Sequence, residues 1–229
     1  MARMNIACIS ASNIRHAGDN STSLRVCRLI QSIAEEIDSG FAVDIIRLVD
    51  YRLEPCIGCG GCFRRDECLH DEGFNEAYGR LARADALFIV SAHYAPIPAK
   101  LSMLLEKVEQ LAFLKRFHDE SYRSPLYMKP VGIVAHGGGT AEVARYYKGP
   151  VLDSIWNALS YPVEMGIVGV SDEEPDGIVF PVKSVRKSDE SVFPIQEYDW
   201  TDIEDRLRPL VDNVIRHACQ RRVNASTIW

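Results

Sequence analysis

Residues Met4–Ile37 carry the sequence MNIACISASNIRHAGDNSTSLRVCRLIQSIAEEI, which is the clearest indication of the fold class. Its first part, Met4–Ser10, is mostly apolar without alternation, as expected of a strand buried on both faces of a parallel sheet. A polar loop follows, and Ser21–Ile37 then places apolar side chains such as Val26 and Ile30 at helical spacing. A buried strand joined by a polar loop to an amphipathic helix is typical of α/β proteins.

The rest of the chain continues this alternation. The apolar runs predict four further strands, at Ala42–Leu48, Ala86–Ser91, Pro130–Ala135 and Val163–Val170. The helical patterns predict helices at Gly73–Ala84, Ala99–Phe113, Thr140–Leu159 and Thr201–Arg221, the third interrupted or kinked at Gly149-Pro150 and the last opened by a capping box of Thr201 and Glu204. Five strands with helices between them predict one α/β domain over residues 1–229.

Composition excludes several classes of partner. The 229 residues include 26 Lys and Arg against 32 Asp and Glu, a formal net charge of −6, with no dense basic block. Nucleic acid and anionic membrane are therefore not expected as partners. No stretch approaches ~18 consecutive apolar residues, so neither a signal peptide nor a membrane span is expected. We expect a cytoplasmic protein whose thiols stay reduced.

Four of the seven cysteines lie in one loop, at residues 55–70, after the second predicted strand. Their spacing is C-x2-C-x2-C-x5-C, and thiolates that converge in this way bind soft metal centres. The two main candidates are an Fe–S cluster and zinc. Zinc is the weaker of the two, because the paired C-x2-C knuckles of zinc sites are usually separated by a longer spacer. A cysteine loop without any metal is the third reading. The four residues are Cys56, Cys59, Cys62 and Cys68.

Three more loops follow strands one, three and four, where open α/β sheets bind their ligands. The first, Ser10–Ser23, is rich in hydroxyls and leads into a helix N-terminus, which suits a phosphate, although capping of the helix is the simpler role. The second, Ser91–Lys100, carries His93 and Tyr94. The third contains three successive glycines, which let a backbone approach a ligand closely. Neither G-x-x-x-x-G-K-[ST] nor G-x-G-x-x-G is present.

These motifs resemble those of the flavodoxin-like superfamily, and within it the NADPH-dependent FMN reductases and the iron–sulfur flavoproteins. The matching elements, over roughly residues 4–170, are ISAS followed by NSTS, then SAHYAPIPAK, then GGGT, and the cysteine motif. Two departures stand out. Ala11-Ser12-Asn13-Ile14 replaces the family's Gly-Ser-Pro-Arg, and Ser91-Ala92-His93-Tyr94 replaces Ser-Pro-x-Tyr.

The resemblance implies a doubly wound five-stranded parallel sheet of order 2-1-3-4-5, with helices on both faces and FMN at one edge. It implies that the first loop holds the FMN phosphate, through Ser10, Ser12, Arg15, Asn20, Ser21 and Thr22. It implies that the other two loops flank the flavin ring, through Ser91, Ala92, His93, Tyr94, Ala95 and Pro96 and through His136, Gly137, Gly138, Gly139 and Thr140. No catalytic acid or base is assigned; His93, Tyr94 and His136 are candidates by position, and a structural role stays open for each.

The resemblance also implies a [4Fe-4S] cluster on the four cysteines, one that can be lost in an aerobic sample. The first functional hypothesis is an iron–sulfur flavoprotein that passes electrons between this cluster, FMN and a redox partner. The second is a cluster-free enzyme that moves a hydride from NAD(P)H through FMN to a quinone or free flavin. The third is an electron carrier without a substrate site. The expected partners are a small-molecule acceptor or a redox protein such as ferredoxin, and a second or further copies of the chain in a homodimer or homotetramer.

One stretch, residues 171–199, has no regular pattern. It begins with acidic residues and contains three prolines. A surface excursion before the last helix is the simpler reading, and a lid or subunit-contact arm is the alternative.

Overall fold

The structure is a computed structural model that describes residues 3–14, 18, 20–189 and 192–226. Its strands are β1 (Met4–Ala11), β2 (Phe41–Arg47), β3 (Ala86–Ala92), β4 (Pro130–His136), β5 (Gly166–Val168), β6 (Ile178–Phe180), β7 (Ser184–Arg186) and β8 (Ile195–Glu197). Its α-helices are α1 (Thr22–Ile37), α2 (Glu72–Arg83), α3 (Ala99–His118), α4 (Ala141–Leu159) and α5 (Trp200–Ser226).

The main sheet confirms the predicted fold. Its strands run in the order β2-β1-β3-β4-β5, and the pairs are parallel. The register places Ala11 beside Ser91, and Ala92 beside His136. The carboxyl ends of β1, β3 and β4 therefore lie at one edge of the sheet, together with the loops that follow them.

Each face of the sheet is covered by its own apolar core. On one face the side chains of α2, α3 and α4, such as Phe74 and Leu104, pack on the strands. On the other face α1 and α5 do so, through residues such as Ile30 and Val211. Strands covered on both faces must be apolar throughout, which explains the continuous apolar runs in the sequence. No helix among the described residues combines the length and apolar character that a membrane crossing requires.

The predicted break of α4 at Gly149-Pro150 is wrong, and the alternative of a kink there stays a prediction. The helix continues from Ala141 to Leu159 with Pro150 inside it. Val151, Leu152 and Ile155 are buried in the core directly after the proline, so tertiary packing holds the turn that proline weakens. The predicted capping box is also wrong, because α5 begins one residue earlier and Asp199 Oδ1 accepts a hydrogen bond from Asp202 N at 3.3 Å.

The irregular stretch 171–199 is more than a surface excursion. Strand β6 pairs with β4 in parallel, and all three of its residues are buried. Strands β7 and β8 form an antiparallel hairpin. The chain then returns to the carboxyl edge of the main sheet before α5 begins. The predicted fifth strand is correspondingly short, because β6 takes the position beside the end of β4.

Candidate functional site

A cavity of about 260 Å³ opens at the carboxyl edge of the sheet. All three loops that the sequence singled out contribute to its wall. The lining residues are Ser12, Ile14, Asn20, Ser21, Thr22, Ala92, His93, Tyr94, His136, Gly137, Gly138 and Gln196. The structure therefore brings together ten of the residues predicted from the sequence, and adds Ile14 and Gln196.

The first loop ends at the N-terminus of α1. Ser21 is the N-cap residue by position, yet its side chain makes no capping hydrogen bond, so its hydroxyl is not committed to the helix. The first amide groups of a helix lack partners within it and attract anions. Ser10 is buried inside β1 and does not line the cavity. Arg15 lies outside the described residues.

The second loop places two rings at the cavity. His93 N donates to His136 O at 3.0 Å, which ties this loop to the end of β4. Burial lowers the pKa of His93 below its usual value. Tyr94 keeps 40% of its surface exposed and presents a flat aromatic face. Ser91 is fully buried in β3, and neither it nor Ala95 and Pro96 line the cavity.

The third loop contains glycines whose φ angles other residues rarely adopt. Gly137 and Gly138 have φ angles of +87° and +78°, in the left-handed region. Gly137 N donates to Phe180 O at 3.2 Å, so β6 fixes this loop against the sheet. Gly139 does not line the cavity, and Thr140 lines a neighbouring one with Phe180 and Asp202.

His136 is the most strongly constrained side chain of the site. It is 5% exposed, and burial lowers its pKa to about 4, so the imidazole is neutral near pH 7. Its Nε2 lies 2.7 Å from Ser23 Oγ, and its Nδ1 lies 3.3 Å from Tyr198 Oη. Tyr198 donates its single hydroxyl proton to Gln196 Oε1 at 3.1 Å. It follows that Nδ1 carries the imidazole proton and donates to Tyr198, while Nε2 accepts from Ser23.

Sequence reasoning missed three residues of this arrangement. Ser23 ends the first loop, where helix capping is the simpler alternative to phosphate binding, but its hydroxyl lies 2.7 Å from His136 Nε2. Gln196 and Tyr198 belong to the irregular stretch, where no periodicity or motif marks them. Only the pairing of β6 with β4, which brings this stretch back over the sheet, could have indicated their role.

The cavity suits a ligand that carries a phosphate and a flat ring. Its wall combines hydroxyl groups and a helix N-terminus with Tyr94, His93 and glycine backbone. The residues present therefore fit FMN, although the set of contact residues stays a prediction.

The four cysteines of the loop line a second cavity, of about 300 Å³. Burial raises the pKa of the Cys62 thiol, and the neighbouring Cys56, Cys68 and Cys59 raise it further. No group of three potential ligands among the described residues stands in a metal-binding arrangement. The cavity thus has soft donors on its wall, but their ligating geometry is not formed.

Buried charges support the ends of the cysteine loop. The Asp71 carboxylate accepts hydrogen bonds from Glu54 N at 2.9 Å and from Phe74 N at 2.8 Å, and it pairs with Lys107. Burial alone would raise the pKa of Asp71, but these hydrogen bonds hold it below its usual value. Cys68 N donates to Asn75 Oδ1 at 2.7 Å, and Asn75 Nδ2 donates back to Cys68 O at 2.8 Å. Both ends of the loop are therefore attached to α2.

Comparison with known proteins gives a family match over most of the chain. A family model described as NADPH-dependent FMN reductase matches residues 4–165. An iron-sulfur flavoprotein of Methanocaldococcus jannaschii is 30% identical over 94 residues, 41% of this chain and 47% of the relative. An iron-sulfur flavoprotein of Archaeoglobus fulgidus is 24% identical over 155 residues, 64% of this chain and 66% of the relative. The chain thus spans about half the length of the first relative and less than two thirds of the second.

Solved structures confirm the fold. An oxidoreductase from Corynebacterium diphtheriae superposes with a TM-score of 0.59 at 14% identity, covering 96% of this chain and 99% of the other. At that identity the likeness shows a shared fold.

Proposed function

Because the chain belongs to the NADPH-dependent FMN reductase family, we propose that it binds FMN in the cavity at the carboxyl edge of the sheet and acts as a flavin-dependent oxidoreductase. One observation carries this proposal. Loops from three separate strands, each singled out by its own residues, line the same cavity. The order of the strands brings these loops to one edge, and their residues then place hydroxyl groups, an aromatic ring and glycine backbone on one wall, which connections alone do not require.

Each part of the wall has its own task in this proposal. The hydroxyls of Ser12, Ser21 and Thr22, with the N-terminus of α1, hold the phosphate. Tyr94 and the backbone at Gly137 flank the ring. Bound FMN would supply the redox chemistry, by accepting a hydride and passing electrons on singly or in pairs. His136 remains neutral and keeps the floor of the cavity in place through Ser23 and Tyr198.

The test is FMN binding followed by turnover. Apoprotein titrated with FMN should bind it in one-to-one ratio and then oxidise NADH or NADPH with a quinone or free flavin as acceptor. The double variant S21A/T22A should raise the Kd for FMN by roughly tenfold, the effect of losing hydrogen bonds to a charged group. S102A, an exposed hydroxyl on α3, is the matched control. An apoprotein that takes up no FMN would refute the proposal.

For the cysteine cavity we propose a [4Fe-4S] cluster ligated by Cys56, Cys59, Cys62 and Cys68. All four thiols line one cavity, and the curated relatives described above are named iron-sulfur flavoproteins. Cubane clusters take four cysteine thiolates, which matches the number available here. The cluster would exchange electrons with FMN and a redox partner such as ferredoxin.

Protein purified without oxygen should contain about four irons and four acid-labile sulfides per chain. C62S should lose most of this iron, whereas C219S, at an exposed cysteine outside the loop, should retain it. Fewer than about two irons per chain would favour the cluster-free NAD(P)H-dependent reductase.

Turnover of NAD(P)H with a quinone would count against a pure electron carrier. We also propose a homodimer or homotetramer, which the molar mass of the native protein in solution would test.

A further inference from the structure

The β7–β8 hairpin contributes Gln196 to the wall of the proposed flavin cavity. Gln196 lies in β8 opposite Val185 of β7, so the antiparallel pairing fixes its backbone. Its side chain lies beside the glycine loop, because a Cβ atom on Gly137 would be 3.9 Å from Gln196 Oε1. Gln196 also lies outside residues 4–165, the range matched by the family model. The family match therefore assigns it no role.

A chain of hydrogen bonds orients the amide of Gln196. His136 Nε2 accepts from Ser23 Oγ at 2.7 Å, and His136 Nδ1 donates to Tyr198 Oη at 3.3 Å. Tyr198 Oη then donates to Gln196 Oε1 at 3.1 Å. Because a phenol has a single hydroxyl proton, the group that receives it must be an acceptor, and in an amide the acceptor is the oxygen. The chain thus decides which end of the amide faces Tyr198.

This orientation leaves the amide nitrogen of Gln196 for a ligand. Among the hydrogen bonds of the described residues, none is donated by Gln196 Nε2. The side chain of Gln196 is exposed, whereas His136 and Tyr198 behind it are buried. A donor that is held from behind by buried groups loses little conformational freedom when a ligand arrives. The amide is therefore preorganised to donate into the cavity.

We propose that Gln196 Nε2 donates a hydrogen bond to the ring of bound FMN, and that His136 and Tyr198 are positioning residues that hold the amide in this orientation. The ring is the expected acceptor because Gln196 lies beside Gly137, whose backbone flanks the ring in the proposed function. This inference rests on the proposed function and deepens it, since it names the group that adjusts the potential of the flavin. Reduction adds electron density to the ring, so a donor there stabilises the reduced form more than the oxidised form.

The midpoint potential of bound FMN, measured by anaerobic titration with dithionite, tests this contact. The potential reports the ratio of the Kd for reduced FMN to the Kd for oxidised FMN. Q196A should raise this ratio roughly fivefold, the effect of losing one hydrogen bond. Q196E, which places a carboxylate at the ring, should raise it roughly tenfold, or lower the potential of the two-electron couple by about 30 mV.

Q220E is the matched control, because it makes the same charge change at an exposed glutamine of α5 that lines neither this cavity nor its neighbours. Q220E should keep the ratio of the wild type. A ratio in Q196A equal to that of the wild type would overturn the inference. The side chain of Gln196 is exposed, so its replacement should leave folding intact and the measurement decisive.

The variant Y198F tests the orienting role. It removes the hydroxyl that holds Gln196 Oε1, so the amide can turn its oxygen towards the ring and the ratio should rise as it does in Q196A. The double variant Q196A/Y198F should give the same ratio as Q196A, because Tyr198 acts only through Gln196. Additive effects of the two substitutions on the ratio would overturn the positioning role of Tyr198.

Failure of this inference is distinguishable from failure of the proposed function. A wild type that binds FMN, with Q196A raising the Kd of both redox forms equally, would overturn the inference alone, since Gln196 would then serve the phosphate or the ribityl chain. A wild type that takes up no FMN would refute the proposed function and this inference together.

Discussion

The imidazole of His136 joins three distant parts of the chain at one point. Ser23 lies 113 residues before it and Tyr198 lies 62 residues after it, and both hydroxyls are within hydrogen-bond distance of the ring. A ring that accepts at one nitrogen and donates at the other is satisfied only when it is neutral. Protonation would place a second donor against the Ser23 hydroxyl and a charge at a buried position.

This arrangement makes stability depend on pH. The pKa of His136 is about 4 in the folded protein against about 6.5 in an unfolded chain, so the unfolded state binds the proton more readily between these values. The free energy of unfolding should therefore fall as pH decreases from 6.5 towards 4. We expect His136 to account for a loss of about 3 kcal/mol over this range.

The measurement is urea unfolding of the wild type and of H136Q at pH 7 and at about pH 4. H136Q should be less stable at pH 7 but should lose roughly 3 kcal/mol less than the wild type on acidification. H217Q, at an exposed histidine of α5, is the control and should follow the wild type. Parallel pH curves for wild type and H136Q would contradict the prediction.

The residues of the cavity wall were predictable to different degrees. Ser21, Tyr94 and Gly137 could be found because each follows a strand whose apolar run is plain in the sequence. Tyr198 could not, because its role depends on how β6 and the hairpin fold back, and short strands of three residues leave no periodic signal.

At the scale of elements, α2 and α3 hold the cysteine loop through one buried ion pair. Asp71 caps α2, anchors the backbone at Glu54 and pairs with Lys107 of α3, and both charged side chains are nearly fully buried. Removal of one partner from such a pair leaves an uncompensated charge in the interior. Loss of Asp71 should therefore both release the cysteine loop from α2 and lower the stability of the protein.

D71A should lower the free energy of unfolding by about 3 to 5 kcal/mol. The double variant D71A/K107M should be less destabilised than D71A, because it removes the unpaired ammonium as well. Reaction of the four loop cysteines with a thiol reagent should be faster in D71A than in the wild type, since Glu54 N loses its acceptor. A double variant as unstable as D71A would show that the charge is not the cause.

Most helices and strands lie where the sequence patterns predict them, but α3 continues beyond its predicted end and α4 continues through its predicted break. Helix α3 continues to His118, five residues beyond the predicted end. The prediction stops early because the last turns carry aromatic and basic side chains, and the apolar stripe that marks the helix in the sequence ends before them. Helix α4 passes through Pro150 because buried neighbours outweigh the missing hydrogen bond. Local propensity predicts where these helices begin more reliably than where they end, because tertiary packing can extend a helix beyond its local signal.

At the scale of the whole molecule, the fold is a sheet between two cores with its loops gathered at one edge. The residues that would contact FMN come from α1 and from the loops after β1, β3 and β4, so bound FMN would link elements from both faces. A ligand that binds only the folded state stabilises that state by mass action.

FMN at one hundred times its Kd should raise the free energy of unfolding by about 2.7 kcal/mol. For a chain of this size that corresponds to a rise in Tm of roughly 5 to 11 °C. Riboflavin, which lacks the phosphate, should give a smaller shift at the same concentration. The control is S21A/T22A, in which FMN and riboflavin should differ less. Equal shifts for FMN and riboflavin in the wild type would argue against a phosphate site at α1.

The return of residues Ile178–Trp200 to the sheet edge has a consequence for the order in which the site can be made. During synthesis the strands β1 to β4 leave the ribosome first, and with them the three loops. Gln196 and Tyr198 emerge only near the end of translation, yet they close the cavity wall and engage His136. A nascent chain stalled before Gln196 would hold an open site with an unpartnered imidazole nitrogen, so cofactor loading should await completion of nearly the entire polypeptide.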